Sequence, residues 1–473
     1  MIMQKHLIAA VVLLSLTSCA VHQVHEDVPV SFIVPDEFRA EGEAAAPDRW
    51  WESFDDSALQ NLIDEGLSKN LTLRQAWARL AQARAIWTQA STELFPQATL
   101  DLGATRFRNE VGNAANVSGN YSASIITSYE VDLWKRIDSQ QRAAELDIQA
   151  SRSDIEATAL SLSASIASVW YSIIEQQAKL TLLNEQIEVS KTFLELIELR
   201  FSQGRTSAVE VYQQRAQLAA IDVEVPGAES LLRVYENQLA VLLGEPPMRF
   251  TVDEPKAFPE LDAPPAAGAP AALLLRRPDI RAALTRVYAA DYRIGAAIAD
   301  QYPALRLSAQ SEFRNNDLAD LFQNWLLNLA SNLTTPILDG GRRKAEIERT
   351  RAVKDERIAA FEQSMLIAFQ EVENAWTQED RQRELIKRLQ HELEQDRSAF
   401  EESRNRFRQG IGEYLSVLTS LQSMQRVERT LISAQRNLIG FRIDLYAALG
   451  GDWMSELQPP DPAARPDNEE NDS

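Results

Sequence analysis

One cysteine in 473 residues excludes a disulfide framework. Four histidines (His6, His22, His25 and His391) are too scattered to offer metal-ligand spacing. No serine nucleophile motif, phosphate loop or dinucleotide fingerprint occurs. Nothing therefore gathers a nucleophile, a base or a metal, and the chain does not read as an enzyme. Basic residues are outnumbered, 48 Lys and Arg against 69 Asp and Glu, which leaves a net charge of −21. So acidic a surface disfavours nucleic acid as a partner. Glycine and proline are missing altogether between 133 and 202, so that stretch reads as one long helix. Charges recurring every few residues argue against a membrane-spanning helix there.

What is present begins with an export segment. Lys5 gives residues 1–18 a basic start, Leu7 to Leu16 an apolar core, and Leu16-Thr17-Ser18-Cys19 closes it. This is a secretory signal, too short to span a bilayer. Its ending has the form of a bacterial lipobox; the alternative is a plain signal with a chance cysteine. Lipidated Cys19 would become the first mature residue, thioether-linked to diacylglycerol. Its acyl chains, at about 0.8 kcal/mol per buried methylene, would hold the protein on a bilayer. Ala20 stands where an inner-membrane retention Asp is often found, which favours the outer membrane. The covalent lipid is the one attached group expected; no cofactor is.

The chain then says nearly the same thing twice, at an offset of 206 or 207. Phe95-Pro96 returns as Tyr302-Pro303, Asp132 as Asp339, Arg136 as Arg343 and Trp170 as Trp376. Arg200-Phe201-x-x-Gly204 returns as Arg406-Phe407-x-x-Gly410, and Leu243-Gly244 as Leu449-Gly450. A tandem duplication follows. Residues 19–50 read as a lipidated extended leader and 51–245 as the first repeat. A Pro-rich linker covers 246–271, the second repeat 272–451, and an acidic disordered tail 452–473.

Each repeat mixes helix and strand. A single helix is expected over 57–93, N-capped by Ser57. Ala98, Leu100, Leu102 and Ala104 alternate with Thr99, Asp101, Gly103 and Thr105. Tyr121 to Val131 alternates likewise, and Asn109 to Asn120 between them reads as a loop. The second repeat carries Leu305 to Arg314 and Trp325 to Leu333. Strands of this length, apolar on one side, fit a membrane barrel better than a soluble hairpin.

The long helix carries its own period. Ile166, Ile173, Leu180, Ile187, Leu194 and Phe201 fall seven apart, and Val169, Leu183 and Ile197 supply the second seam position. The copy reads Val372, Glu379, Ile386, Leu393, Phe400, Phe407, with one polar break. Such heptads mean coiled-coil packing. Each helix, near 70 residues, would be on the order of 100 Å long. After Gly204 and Gly410 the chain should turn back into helices of about 207–244 and 413–449.

Four strands cannot close a barrel, and an open edge cannot sit in lipid. Two chains would give eight strands, enough to enclose packed side chains; three would give twelve, with room for a pore. The expected fold is therefore mainly α with a membrane β part. Tandem-duplicated long helical hairpins form an α-barrel, and four strands per chain complete a trimeric 12-stranded β-barrel. Asp101, Arg306, Glu312 and Arg314 on the polar strand face would point into water.

The sequence resembles the TolC superfamily of outer-membrane efflux proteins, and within it the NodT-type lipoprotein channels of resistance-nodulation-division pumps. Trp50-Trp51-x-x-Phe54, Tyr129-Glu130-Val131-Asp132-Leu133-Trp134 and Arg276-Arg277-Pro278-Asp279-Ile280-Arg281 carry the likeness. So do Pro336-Ile337-Leu338-Asp339-Gly340-Gly341 and Leu445-Tyr446-x-x-Leu449-Gly450-Gly451. The resemblance implies a homotrimer in the outer membrane, a periplasmic adaptor docked at the hairpin tips and an inner-membrane pump supplying energy. It implies passive export of drugs, solvents or metal ions. It places the adaptor-docking tips at Arg200, Phe201, Gly204, Arg406, Phe407 and Gly410, and a periplasmic gate at Tyr414-Leu415. Relatives often carry an Asp and an Arg further along that helix; here Thr419 and Gln422 stand there. An apolar Leu415 constriction is expected instead. The alternatives are a type I protein secretion conduit on the same fold, and a periplasmic adaptor, which the duplication opposes.

Overall fold

The computed structural model describes residues 22–24, 28–38, 47–111, 114–249, 257–266, 268 and 270–459. Cys19 and the lipobox lie outside the described residues. The chain forms two compact units. The first gathers residues 1–32, 78–153 and 279–364, the second residues 33–77, 154–278 and 365–473.

The first unit holds an antiparallel sheet, built from β1 (Gln97–Val111), β2 (Ala114–Val131), β3 (Ala304–Asn315) and β4 (Trp325–Thr334) in the order β1-β2-β3-β4. Register sorts the side chains as the alternation predicts. Leu100 faces Ile125, and Ala123, Phe313 and Trp325 line up across three strands, all on the apolar face. Asp101, Ser124 and Glu312 line up on the other face, with Leu326 an apolar exception opposite Glu312. The apolar face is exposed: Leu102 is 74% accessible and Leu329 72%. The loop expected over 109–120 is instead mostly strand, since β1 runs on to Val111 and β2 starts at Ala114. Asparagine and glycine suggested a loop, but the backbone ladder of a long hairpin runs through them, because every non-proline residue can supply its N–H and C=O.

The helix expected over 57–93 is two helices, α1 (Ser57–Lys69) and α2 (Leu71–Thr92). Asn70 separates them: its side-chain oxygen accepts from the amides of Thr72 and Leu73, and its amide nitrogen donates to the Leu242 carbonyl. The N-cap of α1 is Asp56, not Ser57; its carboxylate accepts from the amides of Ala58 and Leu59. The long helices α3 (Arg136–Ser202) and α8 (Arg342–Arg408) have 67 residues each. Their starts are held alike. Asp132 accepts from the amides of Ile137 and Asp138, and Asp339 from those of Gly341 and Arg343. The return of the first repeat is split into α4 (Ala208–Asp222) and α5 (Glu224–Leu242), where one helix was expected. Pro226 cannot donate to the Asp222 carbonyl, which interrupts the ladder there. A short α6 (Pro270–Arg276) crosses from the linker into the second repeat and is followed by α7 (Pro278–Ala299). The second return has no such proline and is one helix, α9 (Tyr414–Leu449).

In the second unit the seam is buried over most of its length. Ile166, Ile173, Leu183 and Ile197 are fully buried, whereas Phe201 is 48% exposed, so the seam stops short of the turn. In α8, Val372, Leu393, Phe400 and Phe407 are buried. The polar break at Glu379 is a buried ion pair: Arg442 Nη2 lies 2.6 Å and Nε 2.9 Å from its carboxylate oxygens. Against expectation, charges do not recur along the whole of α3. Residues 157–174 of α3 carry no charge, and by length and composition that window could cross a membrane. It is 61% buried, as a core stretch would be. Nor is the chain past 451 wholly tail, because Trp453–Glu456 form a 3₁₀ turn with Trp453 and Met454 buried. Trp453 meets Trp51 edge-on at 4.8 Å, and Trp50 stacks on Tyr446 at 5.7 Å. The Trp-Trp motif thus joins the start of the first repeat to the end of the second.

Candidate functional site

Both helical hairpins of the second unit turn in the same way, for a reason visible in the repeated Arg-Phe-x-x-Gly. Gly204 and Gly410 adopt φ of +69° and +79°. Arg205 N–H donates to the Arg200 carbonyl and Gly204 N–H to that of Phe201; Ile411 and Gly410 repeat both bonds to Arg406 and Phe407. These are Schellman turns, in which glycine is favoured by its left-handed backbone. A Cβ on either glycine would meet no described atom within 4 Å, so within the chain their role is conformational.

The two turns meet. The Arg200 guanidinium lies 4.3 Å from the centre of the Phe407 ring, and Arg200 Nη1 donates to the Phe407 carbonyl at 3.4 Å. Phe407 packs 5.7 Å from Tyr414. Arg200, Phe407, Gly410, Tyr414 and Leu415 line one cleft of about 530 Å³, together with Glu210. Gly204, Phe201 and Arg406 are outside its lining, and the latter two are exposed. Repeat-related Phe201 and Phe407 therefore differ: one is presented outward, the other is covered by Arg200.

Tyr414 and Leu415 also part company. Tyr414 is 2% exposed and donates its hydroxyl to Gln214 Oε1, while Leu415 is 51% exposed. Burial pushes the Tyr414 hydroxyl above its ordinary pKa, and the Glu210 carboxylate adds to this. Burial likewise raises the Glu210 carboxyl, against the opposing pull of Arg200. Thr419 turns its hydroxyl back onto the Leu415 carbonyl. Gln422 donates to Gln217 Oε1 at 2.6 Å, and Gln217 donates to Gln425 Oε1 at 3.0 Å. A neutral glutamine ladder thus ties α9 to α4, and Gln186 of α3 joins it by donating to the Gln425 carbonyl. Sequence reasoning missed Gln214, Gln217 and Gln425. The trace was polar residues on core stripes: Gln214 and Gln217 between Val211 and Ile221 in α4, and Gln425 between Leu421 and Val427 in α9. Among the described residues no group of three or more His, Cys, Asp or Glu could hold a metal ion.

Comparison with known proteins places this geometry. The chain is 30% identical over 433 residues to the pyoverdine export outer membrane protein OpmQ of Pseudomonas aeruginosa, covering 89% of this chain and 91% of that one. It is 29% identical to the toluene efflux pump outer membrane protein TtgF of Pseudomonas putida, covering 85% of each. The solved outer-membrane channel OprN superposes with a TM-score of 0.84 at 26% identity, over 92% of this chain and all of that one. The Campylobacter jejuni CmeC channel shares the fold, with a TM-score of 0.87 at 20% identity over 94% and 100%. The two solved relatives are outer-membrane channels, and this chain is an outer-membrane protein and not an enzyme. The outer membrane efflux protein family is matched twice along the sequence, over residues 62–245 and again over 269–451, and the chain belongs to that family.

Proposed function

We propose that three copies assemble into a passive outer-membrane conduit for small molecules, completed by a periplasmic adaptor and an inner-membrane pump. One observation carries this reading: among the described residues, β1 and β4 each have an unpaired edge, on a sheet whose apolar face is exposed. Lipid cannot satisfy those edges, whereas β4 of one copy against β1 of the next would close a twelve-stranded barrel. Relatives named for pyoverdine and toluene favour small cargo over whole proteins. The turns at Arg200, Phe201, Gly204, Arg406, Phe407 and Gly410 would receive the adaptor, with exposed Phe201 and Arg406 its first contacts. Leu415 would narrow the conduit, held in place by Tyr414 beside it. A lipid on Cys19 would add a second attachment to the membrane. The proposed division of the chain is a leader at 19–50, repeats at 51–245 and 272–451, and a linker at 246–271. The test is reconstitution of purified protein into planar bilayers, with cross-linking in detergent. Trimers and discrete conductance steps are expected. A lone water-soluble subunit without conductance would overturn the proposal.

A further inference from the structure

The sheet has two ends. At one, Gln97, Val131, Ala304 and Thr334 lead to helices; at the other Val111 pairs with Ala114, and the chain turns from β3 to β4. In an exported outer-membrane protein of this family the helices are periplasmic, so the turns face the cell exterior. Along β3, Leu305 to Phe313 spans about 27 Å of strand, which when tilted matches the apolar band of an outer-membrane barrel. Near the turns, the outward face carries a belt of aromatics. Phe313 pairs with Trp325, Tyr121 lies on the same face of β2, and Phe322 meets Phe313 edge-on at 5.2 Å. Aromatic rings of this kind mark the membrane–water boundary.

β1 changes character at that level. Its outward positions read Leu100, Leu102, Ala104, then Arg106 and Arg108. Ala104 pairs with Tyr121, Arg106 with Gly119 and Arg108 with Val117, so the arginines sit directly beyond the belt. They are exposed, and about 7 Å apart along the strand. Two cations at the outer edge of the apolar band are out of keeping with a chain of net charge −21. Their height is that of the outer leaflet's headgroups, and their guanidinium forks match phosphate.

We propose that Arg106 and Arg108 form a site for the phosphates of an outer-leaflet glycolipid of the lipid A class. Acyl chains would lie along Leu100 and Leu102 while the headgroup met the arginines. The site rests on the outer-membrane placement of the sheet, which the conductance of the same samples reports separately. The test measures binding of lipid A in mixed micelles to the full chain by thermophoresis, using wild type, Arg106→Gln/Arg108→Gln and Arg314→Gln. Arg314 pairs with Ser122 on the opposite face and serves as the control. The double variant should bind lipid A about tenfold or more weakly, since each basic residue near a charged membrane surface adds to the attraction. It should still conduct, and Arg314→Gln should bind as wild type does. Dephosphorylated lipid A should bind wild type no better than the double variant. Equal loss in Arg314→Gln, unchanged affinity in the double variant, or inorganic phosphate binding as tightly as lipid A would overturn the site.

Discussion

Gln217 is the middle rung of the ladder between α4 and α9, and Gln217→Met is the sharpest test of what that ladder does. The change roughly keeps volume but removes both bonds. Gln422 is exposed and can turn to water. Gln425 is 1% exposed, and its Oε1 would lose the Gln217 donor. An orphaned buried acceptor costs about 1–3 kcal/mol, so the tied arrangement should lose about 2 kcal/mol. If the tie holds the Leu415 turn in its narrow position, a loss of about 2 kcal/mol moves the closed-to-open ratio about 30-fold, at roughly 1.4 kcal/mol per decade. Single-channel recording reads that ratio, and thermal melting in detergent reads stability. Adding Gln425→Met removes the orphan but leaves the tie absent. The double variant should therefore regain most of its melting temperature while open probability stays high. Open probability that returns with stability, or never rises in Gln217→Met, would refute a gating role.

Leu415→Ala should raise single-channel conductance, because a half-exposed leucine at the turn is the proposed constriction; unchanged conductance would count against it. Arg442→Met should cost about 3 kcal/mol by leaving buried Glu379 to Arg383 alone among the described residues, whereas Arg442→Met/Glu379→Leu should come within about 1–2 kcal/mol of wild type. Melting of both variants checks this. The Glu210 carboxyl is held above its ordinary range, so its ionised form opposes folding; that cost is absent below the unfolded pKa and fully present above the folded one. Glu210→Gln should therefore raise the melting temperature at about pH 7, with the gain vanishing as pH falls through the carboxylate range.

Much of the family likeness proved architectural once placed in space. Arg277 donates to Glu371 at 2.5 Å and to the Ala448 carbonyl at 3.2 Å, which pins the end of α9. Asp132 and Asp339 cap the two long helices. Trp134 donates to the Pro303 carbonyl and stacks on Tyr302 at 4.9 Å. The motifs thus identified the family through residues that hold its shape.

Sequence by itself determined the repeat, the strand faces and the long helices. These follow from period, from alternation and from the missing glycine and proline, all of which act over neighbouring residues. The Arg-Phe-x-x-Gly turns belong with them, since a left-handed residue closes a Schellman turn locally. Only the tertiary structure decided that Glu379 is buried against Arg442, that Phe407 is covered while Phe201 is not, and that α9 is tied to α4 by glutamines. Those outcomes depend on partners far away along the chain, 63 positions for Glu379 and Arg442 and 205 for Gln217 and Gln422. Local patterning carries no record of which distant side chain will arrive to satisfy a buried polar group.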